Sequence, residues 1–212
     1  MGNNTADTSV VDAVPASDSA AKRLTGDERR REILAAVRTV SSELGVSHLS
    51  VSAVTKRAGC TRSLFYHYFE DKEAVADAVL DNVIDEILTT LKQWNQARET
   101  GNVNKALDDI VHVLRSLIAD ESPFSNRMIQ DGNAELYIKF IDRAADRIAD
   151  YIAQTTVRDF EQMHGLPITN VHETFFTLIV GLISLIRSHP NISDRTIKEV
   201  MAQTLHIESY VV

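Results

Sequence analysis

A chain of 212 residues with 44% hydrophobic content is long enough to bury a sizeable core as one or two domains. Its one cysteine, Cys60, excludes an internal disulfide framework and fits a reducing compartment, so a cytoplasmic protein is expected. The formal charge of −8 argues against broad coating of nucleic acid, and no long apolar run or signal-peptide core points to a membrane or to export.

The charge is unevenly placed. Residues 22–72 hold ten Lys/Arg against six Asp/Glu, or +4, while residues 73–212 carry −9 and residues 1–21 carry −3. One positive segment in an acidic chain is the asymmetry expected when that segment alone meets phosphate.

Residues 1–26 are rich in Ser, Thr, Ala, Asn and Asp without sustained periodicity, which predicts a disordered leader. Lys22 and Arg23 within it can reach toward DNA, although a solvated leader is the simpler reading. Ile33, Val37, Val40 and Leu44 form the apolar stripe of a first helix that Gly45 ends. Ser50 can cap a second helix, with Val51, Val54 and Ala58 on one face. Gly59 then supplies the positive φ of a tight turn. Thr61 can cap a third helix in which Phe65 and Phe69 point inward, leaving Arg62, Ser63, Tyr66 and His67 outward. Residues 27–72 thus read as a three-helix helix-turn-helix domain, a unit that lays one helix in the major groove of DNA while its partner braces the backbone.

The run Ala58-Gly59-Cys60-Thr61-Arg62-Ser63-Leu64-Phe65-Tyr66-His67-Tyr68-Phe69-Glu70-Asp71-Lys72-Glu73 resembles the signature of TetR-type transcriptional regulators. The resemblance covers roughly residues 29–76 and matches the family's aromatic and lysine positions at Tyr66, Tyr68, Phe69 and Lys72. It implies a second, helical domain that dimerises and binds an effector. It also implies that Tyr66, His67, Tyr68 and Lys72 chiefly grip the DNA backbone. Ser63 stands where the family often has Gly, and Leu64 where it often has Thr. Both positions lie where the family reads bases, so they bear on which operator is bound. Cys60 occupies a small turn position, read as a buried structural thiol rather than a redox sensor despite the nearby Arg57 and Arg62.

Beyond Lys72 the sequence is helical throughout. Val75, Val79, Val83, Ile87 and Leu91 predict a long helix over about 72–98, closed by Gly101. Val103, Leu107, Ile110, Leu114 and Leu117 predict the next, ending between Asp120 and Pro123, with a short segment over 124–130 before a break at Gly132. Ile141, Ala145, Ile148 and Ile152 predict one helix reaching His164. Helix 171–188 is apolar nearly all round, which demands burial on every face. Ser193 can cap a last helix striped by Ile197, Val200, Met201 and Leu205. The last two helices are therefore expected to form a four-helix seam with a second copy, through Phe176, Ile179, Leu182, Ile183, Ile186, Ile197, Met201 and Leu205; deep burial within one subunit is the plainer alternative. The whole is expected to be all-α: a DNA-binding head and a helical body over 73–212.

Arg62 is the leading candidate for base readout, because a guanidinium can bond guanine O6 and N7 together; a phosphate contact is the plainer alternative. Ser63 can approach a base edge or phosphate, and Leu64 either a thymine methyl or simply the interior of the head as a buried helix residue. Lys72, opening a helix, offers charge and dipole to phosphate. Ser50, the Val51 amide and Thr61 complete the expected DNA contacts, with Lys56 and Arg57 on the bracing helix. Trp94, His112, Arg115, Phe124, Met128, Tyr137, Phe140 and Phe175 are candidate lining for an effector pocket in the body, suited to a moderately apolar small molecule. No Gly-rich phosphate loop, nucleophile elbow, HExxH or metal-spaced His/Cys cluster occurs, so neither an enzyme nor a bound cofactor is expected. The expectation is a homodimeric repressor released from a palindromic double-stranded DNA operator by a small molecule. A regulator governed by a protein partner, or by no effector, is the alternative.

Overall fold

The computed structural model describes residues 25–45, 49–130, 134–165 and 167–211, with side chains throughout except at Lys72 and over 120–130. Of the expected leader, residues 1–24, with Lys22 and Arg23, lie outside this set. Thr25 and Gly26 belong to the start of the first helix.

Nine α-helices and one short 3-10 turn follow, with no strand among the described residues: α1 (Gly26–Leu44), α2 (Val51–Ala58), α3 (Arg62–Tyr68), α4 (Lys72–Ala97), α5 (Val103–Gln130), α6 (Ala134–Gln154), α7 (Thr156–His164), α8 (Val171–Ser188) and α9 (Asp194–Leu205). Side-chain caps set several starts. Thr25 and Glu28 form a reciprocal capping box on α1, and Ser50, Thr61, Asp71 and Ser193 each accept an amide of the third residue of their helix. Each such cap contributes about 1 kcal/mol.

The head packs where the spacing said it would. Ile33, Val37, Val54, Phe65 and Phe69 are buried together with Val75 and Val79 of α4. Leu44 departs from its stripe: at the last residue of α1 it is 53% exposed. The same apolar cluster runs on without a gap through Val83, Ile87 and Leu91 into the body and ends at Ile207. α4 is therefore the shared wall of head and body, about 39 Å long at 1.5 Å per residue over its 26 residues.

Three expectations are corrected. α5 continues to Gln130 instead of stopping before Pro123; a proline removes one backbone hydrogen bond and can be carried as a local irregularity in so long a helix. The helix expected to reach His164 is divided at Thr155, whose φ of −125° and ψ of −80° leave the helical region. The Thr155 hydroxyl donates back to the Tyr151 carbonyl at 2.6 Å, a local bond that competes with the helical ladder.

The third concerns α8 and α9. Ile179, Leu182, Ile186, Ile197, Met201 and Leu205, expected at a seam between copies, are buried within the chain itself. α8 packs mainly against α6, and α9 against α5. Only Phe176 and Ile183 of the expected set remain half-exposed, alongside Val180 and the exposed Thr177, Gly181 and Ser184. α8 is in fact long and apolar enough to cross a membrane by length and composition; here it lies against α6 with one face in the core. Polar clasps hold α9 down: Lys198, with 9% of its side chain exposed, pairs with Asp108 at 2.6 Å, and Arg115 holds Asp194 and the Ile192 carbonyl.

Candidate nucleic-acid interface and body cavity

α2 and α3 are joined through Gly59, whose φ of +60° and ψ of 34° close α2 in the left-handed conformation. The Gly59 amide donates to Thr55, and Cys60 follows with a bond to the same carbonyl at 3.0 Å. Thr61 then starts α3 by accepting from the Leu64 amide at 3.1 Å. The seven-residue α3 has one inward anchor, Phe65, 1% exposed and 5.7 Å from the Phe69 ring. With that side fixed, Arg62, Ser63, Tyr66 and His67 face out, Tyr66 being 54% exposed. Leu64 and Tyr68 are half-buried, and the Tyr68 ring meets His67 edge-on at 5.0 Å.

The basic residues of the head are mostly engaged already. Arg29 pairs with Glu32, Arg38 with Glu86 and Arg57 with Glu43. The Arg30 guanidinium lies 5.2 Å from the Phe69 ring centroid, and Arg31 donates to the Asp27 carbonyl. Arg62 and Lys56 are exposed and carry no ion pair or hydrogen bond among the described residues. A free guanidinium on the first residue of α3 can approach DNA without first giving up a partner. The sequence alone does not rank Arg62 above Arg38 or Arg57 on this ground, since the Arg38–Glu86 and Arg57–Glu43 pairings cross from helix to helix.

The hydroxyls of Ser50 and Thr61 accept amides at 3.2 and 3.1 Å, which leaves each O–H proton free to donate to a phosphate oxygen. The Val51 amide, at the first position of α2, has no intrahelical acceptor. Lys72 is the first residue of α4, with its side chain outside the described residues. The anion-attracting end expected there is already occupied: Asp71 caps α4 by accepting from Ala74 at 2.7 Å, so its carboxylate opposes a phosphate at that point. Burial pushes the half-buried Cys60 thiol above its ordinary value, with Arg29 opposing and Glu32 reinforcing. Arg57 and Arg62, expected to favour a thiolate, are not among these influences.

In the body, a cavity of about 140 Å³ is bounded by the end of α4, the start of α5, α7 and the inner faces of α8 and α9. A second, of about 100 Å³, lies between α4, α5, α6 and α8. The two share Ile110, Ile152, Phe175 and Met201 as a common wall. Of the candidate pocket residues, Trp94 lines the first, Phe140 the second and Phe175 both. His112 and Arg115 sit instead on the outer side of α5 at Asp194. Tyr137 lies beneath the Arg187 guanidinium, 5.0 Å from its ring centroid. Phe124 and Met128 fall where side chains are not described. His164, Phe160, Ile168 and Leu205 line the first cavity without having been expected there; they come from segments whose packing no single-helix periodicity reveals.

The family pattern described as bacterial regulatory proteins, tetR family, matches residues 33–79, which span α1 from its middle, α2, α3 and the start of α4. Residues 33–79 are thus a TetR-type DNA-binding head. The chain is 38% identical over 64 residues to the HTH-type transcriptional regulator EthR of Mycobacterium tuberculosis, covering 30% of each chain. It is 24% identical over 83 residues to the regulator BetI of Klebsiella pneumoniae, covering 39% of this chain and 43% of BetI. The matches thus span less than half the length of these relatives, which are regulators of transcription and not enzymes. Solved structures extend the likeness of fold to most of the chain. A TetR transcription regulator from Haloarcula marismortui superposes with a TM-score of 0.60 at 13% identity, covering 85% of this chain and 97% of that one. RolR in complex with resorcinol gives 0.55 at 17% identity, covering 87% and 91%.

Proposed function

We propose that the protein is a cytoplasmic, homodimeric, DNA-binding transcriptional repressor that a small molecule releases from a palindromic operator. The observation that carries the reading is α3: a short, capped helix fixed by Phe65, presenting Arg62, Ser63, Tyr66 and His67 outward with the Arg62 guanidinium unengaged. In this reading α3 enters the major groove, with Leu64 toward a thymine methyl. Ser50, the Val51 amide, Thr61, Tyr66 and Tyr68 hold phosphates, and Lys72 adds its charge against the opposing Asp71 carboxylate.

One head of this kind binds weakly, so two must be held at a fixed separation. The half-apolar outer face of α8, with Phe176, Val180 and Ile183 around the exposed Gly181, is the surface for a second copy. The cavities in the body supply a place for the effector, in line with RolR, which has been solved with resorcinol. An effector acts to the extent that it prefers the conformation whose heads no longer fit the operator. Mapping the bound sites across the source genome, followed by footprinting, tests the proposal. The expected result is a few palindromic sites with half-sites about one helical turn, ~34 Å, or somewhat more apart. Uniform coverage without sequence preference would refute it.

A further inference from the structure

The first cavity of the body has an apolar lining with a sparse polar set, and the bonding of that set singles out two groups. Arg98 is held by Asp159 and by Asn95 at 2.8 Å. Thr156 donates to Asn95 at 2.7 Å, and Asn102 donates to Glu99 at 3.1 Å. The two remaining polar groups are the Trp94 indole Nε1 and the His164 imidazole Nε2, both buried and without a hydrogen-bond partner among the described residues. Both side chains line the same cavity, with the two nitrogens covered at its surface. His164 is fixed in place by rings on two sides, Phe160 at 5.0 Å and Tyr210 at 4.8 Å.

We infer that this cavity binds an uncharged, compact, largely apolar molecule bearing a hydroxyl, with Trp94 and His164 as its polar anchors. The charge follows from the lining: its one cation, Arg98, is already neutralised by Asp159, so a carboxylate would find no free counter-charge, and the one lining carboxylate without a cation, Glu99, is exposed and screened by water. The hydroxyl follows from the two orphans. An indole N–H only donates, whereas a neutral imidazole nitrogen donates or accepts. One O–H group can accept from the first and serve the second in either tautomer. The size follows from the volume: a cavity of about 150 Å³ is known to hold a benzene-sized guest, and this one is about 140 Å³. The inference deepens the effector part of the proposed function and rests on that reading only for what binding accomplishes.

Trp94 is the one tryptophan of the chain, so its emission reports on the cavity directly. The full-length protein is titrated with cyclohexanol, with methylcyclohexane of matching shape, and with cyclohexanecarboxylate. Cyclohexanol is expected to perturb Trp94 emission at concentrations about tenfold or more below either analogue, because the methyl leaves two buried groups unpaired and the carboxylate lacks a partner. His164→Leu should reduce the preference for the alcohol over the methyl analogue by about tenfold or more. Trp94→Phe, read by thermal shift, should do the same, and it keeps the test open should the histidine variant fold poorly. Equal or tighter binding of methylcyclohexane, preference for the carboxylate, or no binding by any of the three overturns the inference. The same preparation is assayed for site-specific DNA binding. Retained DNA binding with no response to the alcohol defeats the ligand class alone, whereas loss of specific DNA binding defeats the regulator reading while the titration still decides the cavity.

Discussion

Replacing Arg62 with alanine separates the parts of the DNA-binding proposal more sharply than any other single change. The side chain is exposed and unengaged, so its loss should alter folding stability by no more than about 0.5 kcal/mol. A bidentate contact to guanine is worth about 1–3 kcal/mol per head. Two heads in a dimer double this to about 2–6 kcal/mol, and each 1.4 kcal/mol is a factor of about ten in affinity. If Arg62 reads a base, affinity for the specific site falls by that amount, discrimination at one symmetric position relaxes, and the salt dependence of binding is unchanged. If it holds a phosphate, the loss is similar for all sequences and the slope of log K against log salt flattens by ~0.9 per head, or ~1.8 per dimer. Fluorescence anisotropy with a mapped site and a scrambled one, between roughly 50 and 200 mM salt, distinguishes these outcomes. Arg57→Ala is the internal comparison: its guanidinium is tied to Glu43 at 2.7 Å, so a smaller change is expected. Unchanged affinity and slope for Arg62→Ala would mean that α3 is not the reading helix.

Gly59→Ala meets no atom within 4 Å but places a Cβ at a φ of +60°. A loss of about 1 kcal/mol, near 2–4 °C in Tm for a chain of this size, should appear in thermal melts; an unchanged melting temperature would mean that the turn relaxes. Cys60, its thiol pushed up by burial, should alkylate with iodoacetamide more slowly than free cysteine near neutral pH and gain rate as pH rises past the ordinary thiol range, whereas faster reaction would contradict the half-buried site. On α8, Gly181→Leu should leave the fold intact, because a Cβ at this position meets nothing within 4 Å, yet shift sedimentation toward monomer; an undisturbed dimer would place the seam elsewhere. Leu182→Glu, one residue on and 3% exposed, should instead lose several kcal/mol by burying an unpaired carboxylate.

The head was legible because its signals are local. Ser50, Gly59 and Thr61 set helix ends through bonds to residues no more than four away, and Phe65 and Phe69 lie one turn apart on the same side. The body was legible as helices, not as packing. α4 needed only a four-residue apolar repeat, and Val75, Val79, Val83, Ile87 and Leu91 are all buried. The division at Thr155 lies in a backbone departure, with φ of −125° and ψ of −80°, that the apolar spacing does not register. The composition of α8 stated correctly that more than one face is apolar, but not which covering came from its own chain. α6 and α9 take Leu178, Ile179, Leu182 and Ile186, and that choice is made between elements far apart in sequence. His112 and Arg115 misled for the same reason: an aromatic or basic residue on a helix does not announce whether it faces a cavity or clasps a neighbouring helix.

The link between body and head has a physical form that the sequence holds in plain view once the fold aligns it. Asp77, Asp81 and Asp85 descend α4 one turn apart, and Lys139, Arg143 and Arg147 descend α6 at the same interval. They pair in order at 2.7, 3.0 and 2.6 Å. Each rung is partly exposed and worth about 0–1 kcal/mol, so the ladder is too weak to hold the fold, yet its sum approaches the 1–3 kcal/mol typical of coupling between sites. Its geometry resists sliding: a slip by one turn, 5.4 Å, leaves an unpaired charge at each end of the ladder. α4 is thereby keyed to α6 along the half nearest the head. The cavity lies at the other half, where Trp94 of α4 and Arg98 just beyond its end line it together with Thr156 and Phe160 of α7. Under the proposed function, a ligand that moved the far end of α4 would tilt it against a keyed partner, and a tilt about that contact would displace α3 relative to the operator.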